Sequence, residues 1–172
     1  MADPKRYLGK FRGKVTDNAD PMGIGRLRVQ VPDVLGDTPS SWAMPCFPIA
    51  GNGMGQYMVP PRQAGVWVEF EQGNPSYPIW SGCWYGEREE VPEDARDNLP
   101  DSPNVVLQTP EKRKVVLSDE PGGKGITLSV PSGASLVIDH TGIHLDNGQG
   151  ASVSLTGSVV SINQGVLRIE RE

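Results

Sequence analysis

The sequence predicts an all-β protein, and three observations support this. Glycine (21) and proline (16) are abundant among the 172 residues, so turns should be frequent. Apolar residues recur at every second position in short runs, the period of a β-strand. All eleven Phe, Tyr and Trp residues lie at or before Tyr85, and residues 86–172 contain none. We therefore expect two β domains of different construction, at residues 1–86 and 104–172, joined by a linker at 87–103.

The first domain should be a small five-stranded barrel. Leu27, Val29 and Val31 alternate with polar neighbours, which places the apolar side chains on one face of a strand. A turn-rich segment at 17–25 separates the first two strands, and prolines mark later breaks. The expected strands are 7–16, 24–31, 42–48, 64–71 and 77–84. Closure into a barrel would remove the exposed sheet edges that promote aggregation.

The linker carries the net charge of the protein. Residues 87–103 contain seven acidic and two basic residues, a net charge of −5, which equals the formal charge of the whole chain. The remainder is neutral and has no lysine- or arginine-rich run. This balance makes the chain a poor candidate for binding phosphate backbones, and we expect no nucleic-acid partner.

The second domain should consist of short strands that cross a narrow wall and turn back. Glycines at positions 125, 133, 142, 150, 157 and 165 recur every seven to nine residues. A repeat of that length holds one strand and one turn, the unit of a β-helix or β-prism. The expected strands are 105–107, 114–117, 126–130, 136–138, 143–145, 153–155, 159–162 and 166–169.

Energetics favour a core shared between chains. Burying one Val, Leu or Ile side chain contributes roughly 1.5–3 kcal/mol, whereas ordering one residue costs about 1.5 kcal/mol. With about two apolar residues in every seven or eight, one chain cannot offset the ordering cost, but three chains wound around one axis can. The narrow axis would also explain the missing aromatic residues. The inward residues predicted for this intertwined trimeric needle are Ile126, Leu128, Leu136, Ile138, Val153, Leu155 and Ile162.

Several segments of the first domain carry a resemblance to a known family. They include Tyr7-Leu-Gly-Lys-Phe-Arg-Gly-Lys-Val15, Gly25-Arg-Leu-Arg-Val-Gln-Val-Pro32, Gly65-Val-Trp-Val-Glu-Phe-Glu71 and Tyr77-Pro-Ile-Trp-Ser-Gly82. In this order they resemble the oligonucleotide/oligosaccharide-binding (OB) fold domain of phage baseplate assembly protein V, the central spike of contractile tails and related injection machines. Within residues 7–85 the resemblance rests on these sequence motifs. The remainder resembles the family in its general pattern of short strands and glycines, not in specific residues.

The resemblance implies a structural protein without enzymatic activity or cofactor. It implies a homotrimer at the baseplate tip of a phage tail, pyocin-like particle or toxin injector. The first residues, Met-Ala-Asp-Pro-Lys-Arg-Tyr, have no apolar stretch behind their charges, so we expect synthesis in the bacterial cytoplasm without a signal peptide. The expected partners are a baseplate hub at the barrel end, a separate PAAR-like cap at the needle tip, and the target cell envelope. The alternative is a single-strand nucleic-acid or glycan-binding OB module with a trimerising stalk, for which Trp67, Trp80, Trp84, Arg26 and Arg28 would supply rings and charge.

Three patterns that could indicate catalysis or phosphate binding favour simpler explanations. The glycine-rich segment 51–55 is followed by no helix signal, unlike a dinucleotide-binding loop. Glu69 and Glu71 point the same way on one strand, so a substrate would not sit between them. Asp139 and His140 with a serine such as Ser135 could form a hydrolase triad only if a pocket were present, and none is implied.

His140 and His144 are weak candidates for a metal site. In a trimer each would form a ring of three, which could hold a metal ion if it faced the axis. Related spikes often carry a His-x-His metal site near the tip, whereas these histidines are four residues apart and at least 28 residues from the last residue of the sequence. We therefore predict no metal and expect surface histidines.

Overall fold

The computed structural model describes residues 5–97, 102–122 and 125–170. Strands dominate, which confirms the all-β prediction, and the helices are single turns. The chain divides into two compact units, Met1–Gly86 and Glu87–Glu172, each described by itself below. In the described part of the chain, no helix has the length and apolarity that a bilayer crossing demands.

From residue 5 onward, unit 1 contains seven strands, one short α-helix and a turn of 3₁₀ helix at Glu71–Gly73. The strands and the α-helix are β1 (Phe11–Asp17), β2 (Arg28–Gln30), α1 (Pro32–Leu35), β3 (Met44–Pro45), β4 (Ala50–Gly51), β5 (Met54–Gly55), β6 (Gly65–Phe70) and β7 (Pro78–Trp84).

Five of these strands form a closed sheet. Their order is β2-β1-β6-β7-β3, antiparallel except for the parallel pair β3–β7. Leu27, just before β2, exchanges two backbone hydrogen bonds with Ala43, just before β3, so the two edges of the sheet meet. The result is an OB-type barrel, as the sequence predicted. Strands β4 and β5 form a separate hairpin.

The barrel interior is filled by the inward-facing residues of these strands. Trp80 lies in this core and donates a hydrogen bond from Nε1 to the carbonyl oxygen of Gly25, at 3.0 Å. That bond satisfies the polar atom of the largest core side chain. The buried apolar residues are Val15, Leu27, Val29, Val31, Ala43, Val66, Val68, Phe70 and Trp80.

The third strand, β3, contains only two residues and is much shorter than the predicted strand 42–48. Pro45 and Pro48 have no N–H to donate, so a regular ladder cannot run through them. Helix α1 was not predicted, although Pro32 at its start is a known signal for the first turn of a helix.

Unit 2 begins with a turn of 3₁₀ helix at Arg88–Glu90 and a short helix, α2 (Glu93–Arg96), in the segment expected to be a linker. Eight strands follow. They are β8 (Val105–Gln108), β9 (Lys114–Leu117), β10 (Ile126–Ser129), β11 (Ala134–Asp139), β12 (Gly142–Asn147), β13 (Ser152–Thr156), β14 (Val159–Ile162) and β15 (Leu167–Glu170).

These eight strands form one antiparallel sheet in which each strand pairs with the next along the chain. All eight predicted strands are present, with boundaries shifted by up to two residues. The sheet is therefore a meander made by a single chain. An intertwined trimeric β-helix is not a feature of one chain and remains a prediction.

Candidate functional site

One face of the unit 2 sheet is lined by aliphatic side chains, with Asn147 at the end of β12 as the polar exception. Directly paired residues of antiparallel strands project to the same side, and the register is continuous across the sheet. Each strand contributes two Val, Leu or Ile residues to this side, and β11 and β12 add the pair Ala134–Asn147. We call the set the aliphatic face: Val105, Leu107, Val115, Leu117, Ile126, Leu128, Leu136, Ile138, Ile143, Leu145, Val153, Leu155, Val160, Ile162, Leu167 and Ile169.

The aliphatic face is poorly covered by the chain itself. Its side chains range from half-buried to more than half exposed, with Leu145 at 45% and Ile169 at 58%. Among the described residues of unit 2, Val116 is the only buried apolar residue, and it belongs to the opposite face. A contiguous apolar surface of this kind marks an interaction site in a soluble protein.

The opposite face is mostly polar and is partly covered by the start of unit 2. Asn104 donates from Nδ2 to the carbonyl oxygen of Asp94 at 2.8 Å, and Lys114 forms an ion pair with the Asp94 carboxylate. These contacts hold α2 near β8 and β9. The same three residues line a cavity of about 420 Å³, together with hydroxyl groups of Thr127, Ser129 and other residues. The two faces of the sheet therefore differ sharply in chemistry.

Two family models match the chain. The type VI secretion system/phage-baseplate injector OB domain matches residues 11–85, and the phage baseplate V C-terminal trimerisation domain matches residues 104–168. Together they cover most of the sequence. The chain belongs to the phage baseplate V family. No curated protein matches the sequence.

Membership in the baseplate V family agrees with the two-unit structure. The OB model falls on the closed barrel, and the trimerisation model falls on the meander with the aliphatic face. The protein is therefore a trimerising structural component of a phage or type VI secretion baseplate. The family consists of structural baseplate and spike proteins.

The seven residues predicted for the needle core all lie on the aliphatic face of this baseplate V chain. Ile126 pairs with Ile138, and Leu128 with Leu136. Sequence reasoning missed the other nine members of the face, although the same alternation was present in their strands. The missed residues are Val105, Leu107, Val115, Leu117, Ile143, Leu145, Val160, Leu167 and Ile169.

The two candidate metal ligands lie apart from the aliphatic face. His140 is exposed in the turn between β11 and β12. His144 lies on the opposite face, where its Nε2 is 2.8 Å from Thr141 Oγ1 and 3.6 Å from Asp139 Oδ1. Within the described residues, no group of three or more His, Cys, Asp or Glu side chains could hold a metal ion. If the aliphatic faces meet at an axis, His144 points away from it.

Asp139 organises its turn rather than a catalytic triad. Its Oδ1 accepts hydrogen bonds from the Thr141 hydroxyl at 2.6 Å and from the Thr141 and Gly142 backbone N–H groups. These hydrogen bonds lower the pKa of Asp139 to about 2, and the bond from the Thr141 hydroxyl has the largest effect. Ser135 lies near the other end of β11, roughly 13 Å away by the rise of a strand. The structure therefore does not bring the triad residues together.

The two candidate carboxylates in unit 1 do not form a pair. Glu69 lies on β6, 3.2 Å from Lys10, whereas Glu71 belongs to the turn after that strand. Hydrogen bonding to Ser81, and then to Lys10, lowers the pKa of Glu69. The glycine-rich segment 51–55 forms the β4–β5 hairpin, which no helix follows. Neither feature forms a catalytic or phosphate-binding site.

The aromatic rings proposed for nucleic-acid stacking are covered. Trp80 is buried in the barrel. The Arg12 guanidinium lies over both Trp67 and Trp84, at 5.7 and 5.2 Å from the ring centroids. Arg26 and Arg28 lie over Trp42 in the same way. Base stacking needs a free ring face, so this geometry does not favour the single-strand binding alternative.

Proposed function

We propose that the protein is the homotrimeric central spike of a contractile injection apparatus. In this proposal the three aliphatic faces meet around a threefold axis and form a needle, and the three barrels form a collar. The observation that supports it best is the aliphatic face, which has sixteen branched apolar side chains, none charged or aromatic, and little cover from its own chain.

Association would convert this exposed surface into a core. Burying apolar surface contributes about 25 cal/mol per Å², and each inward residue would contact two neighbouring chains. Eight strands spaced by 4.7–4.9 Å give a wall about 34 Å long. The polar face, with Ser154 and Ser161, would face outward. A close-packed prism with solvated walls would be rigid enough to transmit the thrust of a sheath to the target envelope.

The proposed spike would bind one partner at the barrels and another at the needle tip. The barrel end would dock on a baseplate hub. Strand β15 has one unpaired edge in the described sheet, and this edge would give a PAAR-like cap a place to pair. The sharpened tip would then meet the envelope. The proposal needs no cofactor and no bond chemistry.

Native mass measurement of the full chain tests the proposal. The expected mass is three times the 18.6 kDa of one chain. Leu155→Lys would place three ammonium groups in the shared core and should prevent the trimer from forming, because unpaired buried charges are strongly unfavourable. The matched control is Ser154→Lys, one residue away on the opposite face, which should remain trimeric.

The result that would overturn the proposal is a wild-type chain that stays monomeric at micromolar concentration. Equal loss of the trimer in both lysine variants would also count against it, because the two faces would then not differ in role. A trimer in which Leu155→Lys assembles normally would move the interface away from the aliphatic face.

A further inference from the structure

The outward side of the barrel sheet carries a concentration of positive charge. Basic residues occupy every second position from just before β1 into that strand, at Lys10, Arg12 and Lys14. Arg28 lies on the neighbouring strand β2, and all four side chains are exposed. Two carboxylates face the same side: Glu69 on β6 is paired with Lys10, and Asp17 lies opposite Arg28 and is paired with Arg62. We call these four basic residues, with Trp67 and Trp84, the cationic face. Its excess charge contrasts with a chain whose net charge is −5.

Arg12 and Lys14 have no acidic partner on this face. In residues 5–97, 102–122 and 125–170, no carboxylate forms an ion pair with either side chain. The Arg12 guanidinium is nevertheless held in place, because it lies over the indole rings of both Trp67 and Trp84. An arginine fixed in this way loses little side-chain entropy when it binds a carboxylate.

A small cavity lies beside the fixed guanidinium. It measures about 240 Å³ and is lined by Arg12, Gly13, Lys14, Gln30, Pro32 and Trp84, with no acidic residue among them. Trp84 packs flat across Gly65, where a Cβ would come within 2.6 Å of the ring. The cavity therefore combines an aromatic wall with two unpaired cations at its rim.

We propose that the cationic face is a docking site for an acidic segment of a partner protein. The charge complements carboxylates, and a planar guanidinium pairs with a carboxylate through two hydrogen bonds. A single-stranded nucleic acid fits less well, because Arg12 already covers the rings on which bases would stack. The site is on the barrel and does not depend on the trimer.

The test is binding of a fluorescein-labelled octaglutamate peptide to the full-length protein at low ionic strength, followed by anisotropy. We expect saturable binding that weakens with added salt. Lys14→Glu should weaken it about tenfold or more, because a repelling charge replaces an attracting one. Lys112→Glu, the same charge change at the exposed turn between β8 and β9, should alter affinity by less than about twofold.

Arg12→Gln is the second variant. It should also weaken peptide binding, and its thermal unfolding midpoint shows whether the barrel is still folded. Absence of binding to the wild type, or equal weakening by Lys14→Glu and Lys112→Glu, would overturn the proposal. Tighter binding of an eight-residue oligothymidylate than of octaglutamate would overturn it in favour of nucleic acid. Native mass decides the spike proposal separately, so each can fail without the other.

Discussion

At the scale of single residues, Asp20 holds the long connection between β1 and β2. Its carboxylate accepts hydrogen bonds from the backbone N–H groups of Met22, Ile24 and Arg26, and from the Arg26 guanidinium at 2.6 Å. The side chain is only 3% exposed. The Arg26 hydrogen bond, aided by the backbone bonds, holds the pKa of Asp20 well below its ordinary value. The connection is thus fixed by one acidic residue.

We predict that Asp20→Asn lowers the thermal unfolding midpoint of the barrel. The asparagine amide has nearly the same shape as the aspartate carboxylate. Its NH₂ group, however, would face N–H donors that now bind a carboxylate oxygen, and the negative charge opposite Arg26 would be lost. The control is Asp37→Asn, which changes an exposed carboxylate and should leave the midpoint nearly unchanged. Equal midpoints for the two variants would show that Asp20 does not hold the connection.

Asp20 also gives the barrel a definite pH dependence. Because its pKa is lower in the folded state than in the unfolded chain, its stabilising contribution is complete above the ordinary value of about 4. That contribution is lost as the pH falls through the lowered folded-state pKa. Between about pH 5 and pH 2, the wild type should therefore lose more stability than Asp20→Asn, measured by denaturant unfolding of the two proteins. Parallel pH curves would contradict this.

At the scale of elements, the turn from β11 to β12 depends on one glycine. Gly142 has φ +149°, and a Cβ there would overlap the carbonyl oxygen of Leu155 on β13. Gly157, in the turn after β13, also has positive φ, at +59°, but a Cβ would meet nothing within 4 Å. Alanine at position 157 would therefore meet backbone strain alone, whereas alanine at position 142 would meet strain and steric overlap together.

We predict that Gly157→Ala costs about 1–2 kcal/mol, the strain of a side chain at positive φ. Gly142→Ala should cost about 1–3 kcal/mol more, because the overlap forces β12 and β13 apart. Denaturant unfolding of both variants measures the difference. If both alanines cost the same, the close approach of β12 and β13 does not limit the residue at position 142.

The strands of unit 2 could be predicted because two local signals agreed along the sequence. The alternation of apolar and polar residues indicated the strands, and glycines such as Gly133 and Gly142 indicated the turns. The full aliphatic face could not be derived, since it depends on the register of each hairpin, which turn geometry fixes. In unit 1, β3 is short because of its prolines. Helix α1 is a single turn, below the length at which helical periodicity is visible.

At the scale of the whole molecule, the two units differ in how they gain stability. Unit 1 has its own buried core of nine residues, so a truncation ending at Pro103 should fold as a monomer. In the described part of unit 2, Val116 alone is a buried apolar residue, so we expect the fold of unit 2 to gain stability from association. The charge is also uneven, because the acidic start of unit 2 carries a net charge equal to that of the entire chain.

We predict that the full chain unfolds in two transitions that respond differently to concentration. A fold stabilised by association follows mass action, so the unit 2 midpoint should rise over a roughly hundredfold increase in protein concentration. The barrel transition should stay constant, because its core is intramolecular. Scanning calorimetry and circular dichroism at several concentrations measure both, and the truncation ending at Pro103 identifies the barrel transition. A unit 2 midpoint independent of concentration would show that the meander is stable alone, and the exposed aliphatic face would then need another partner.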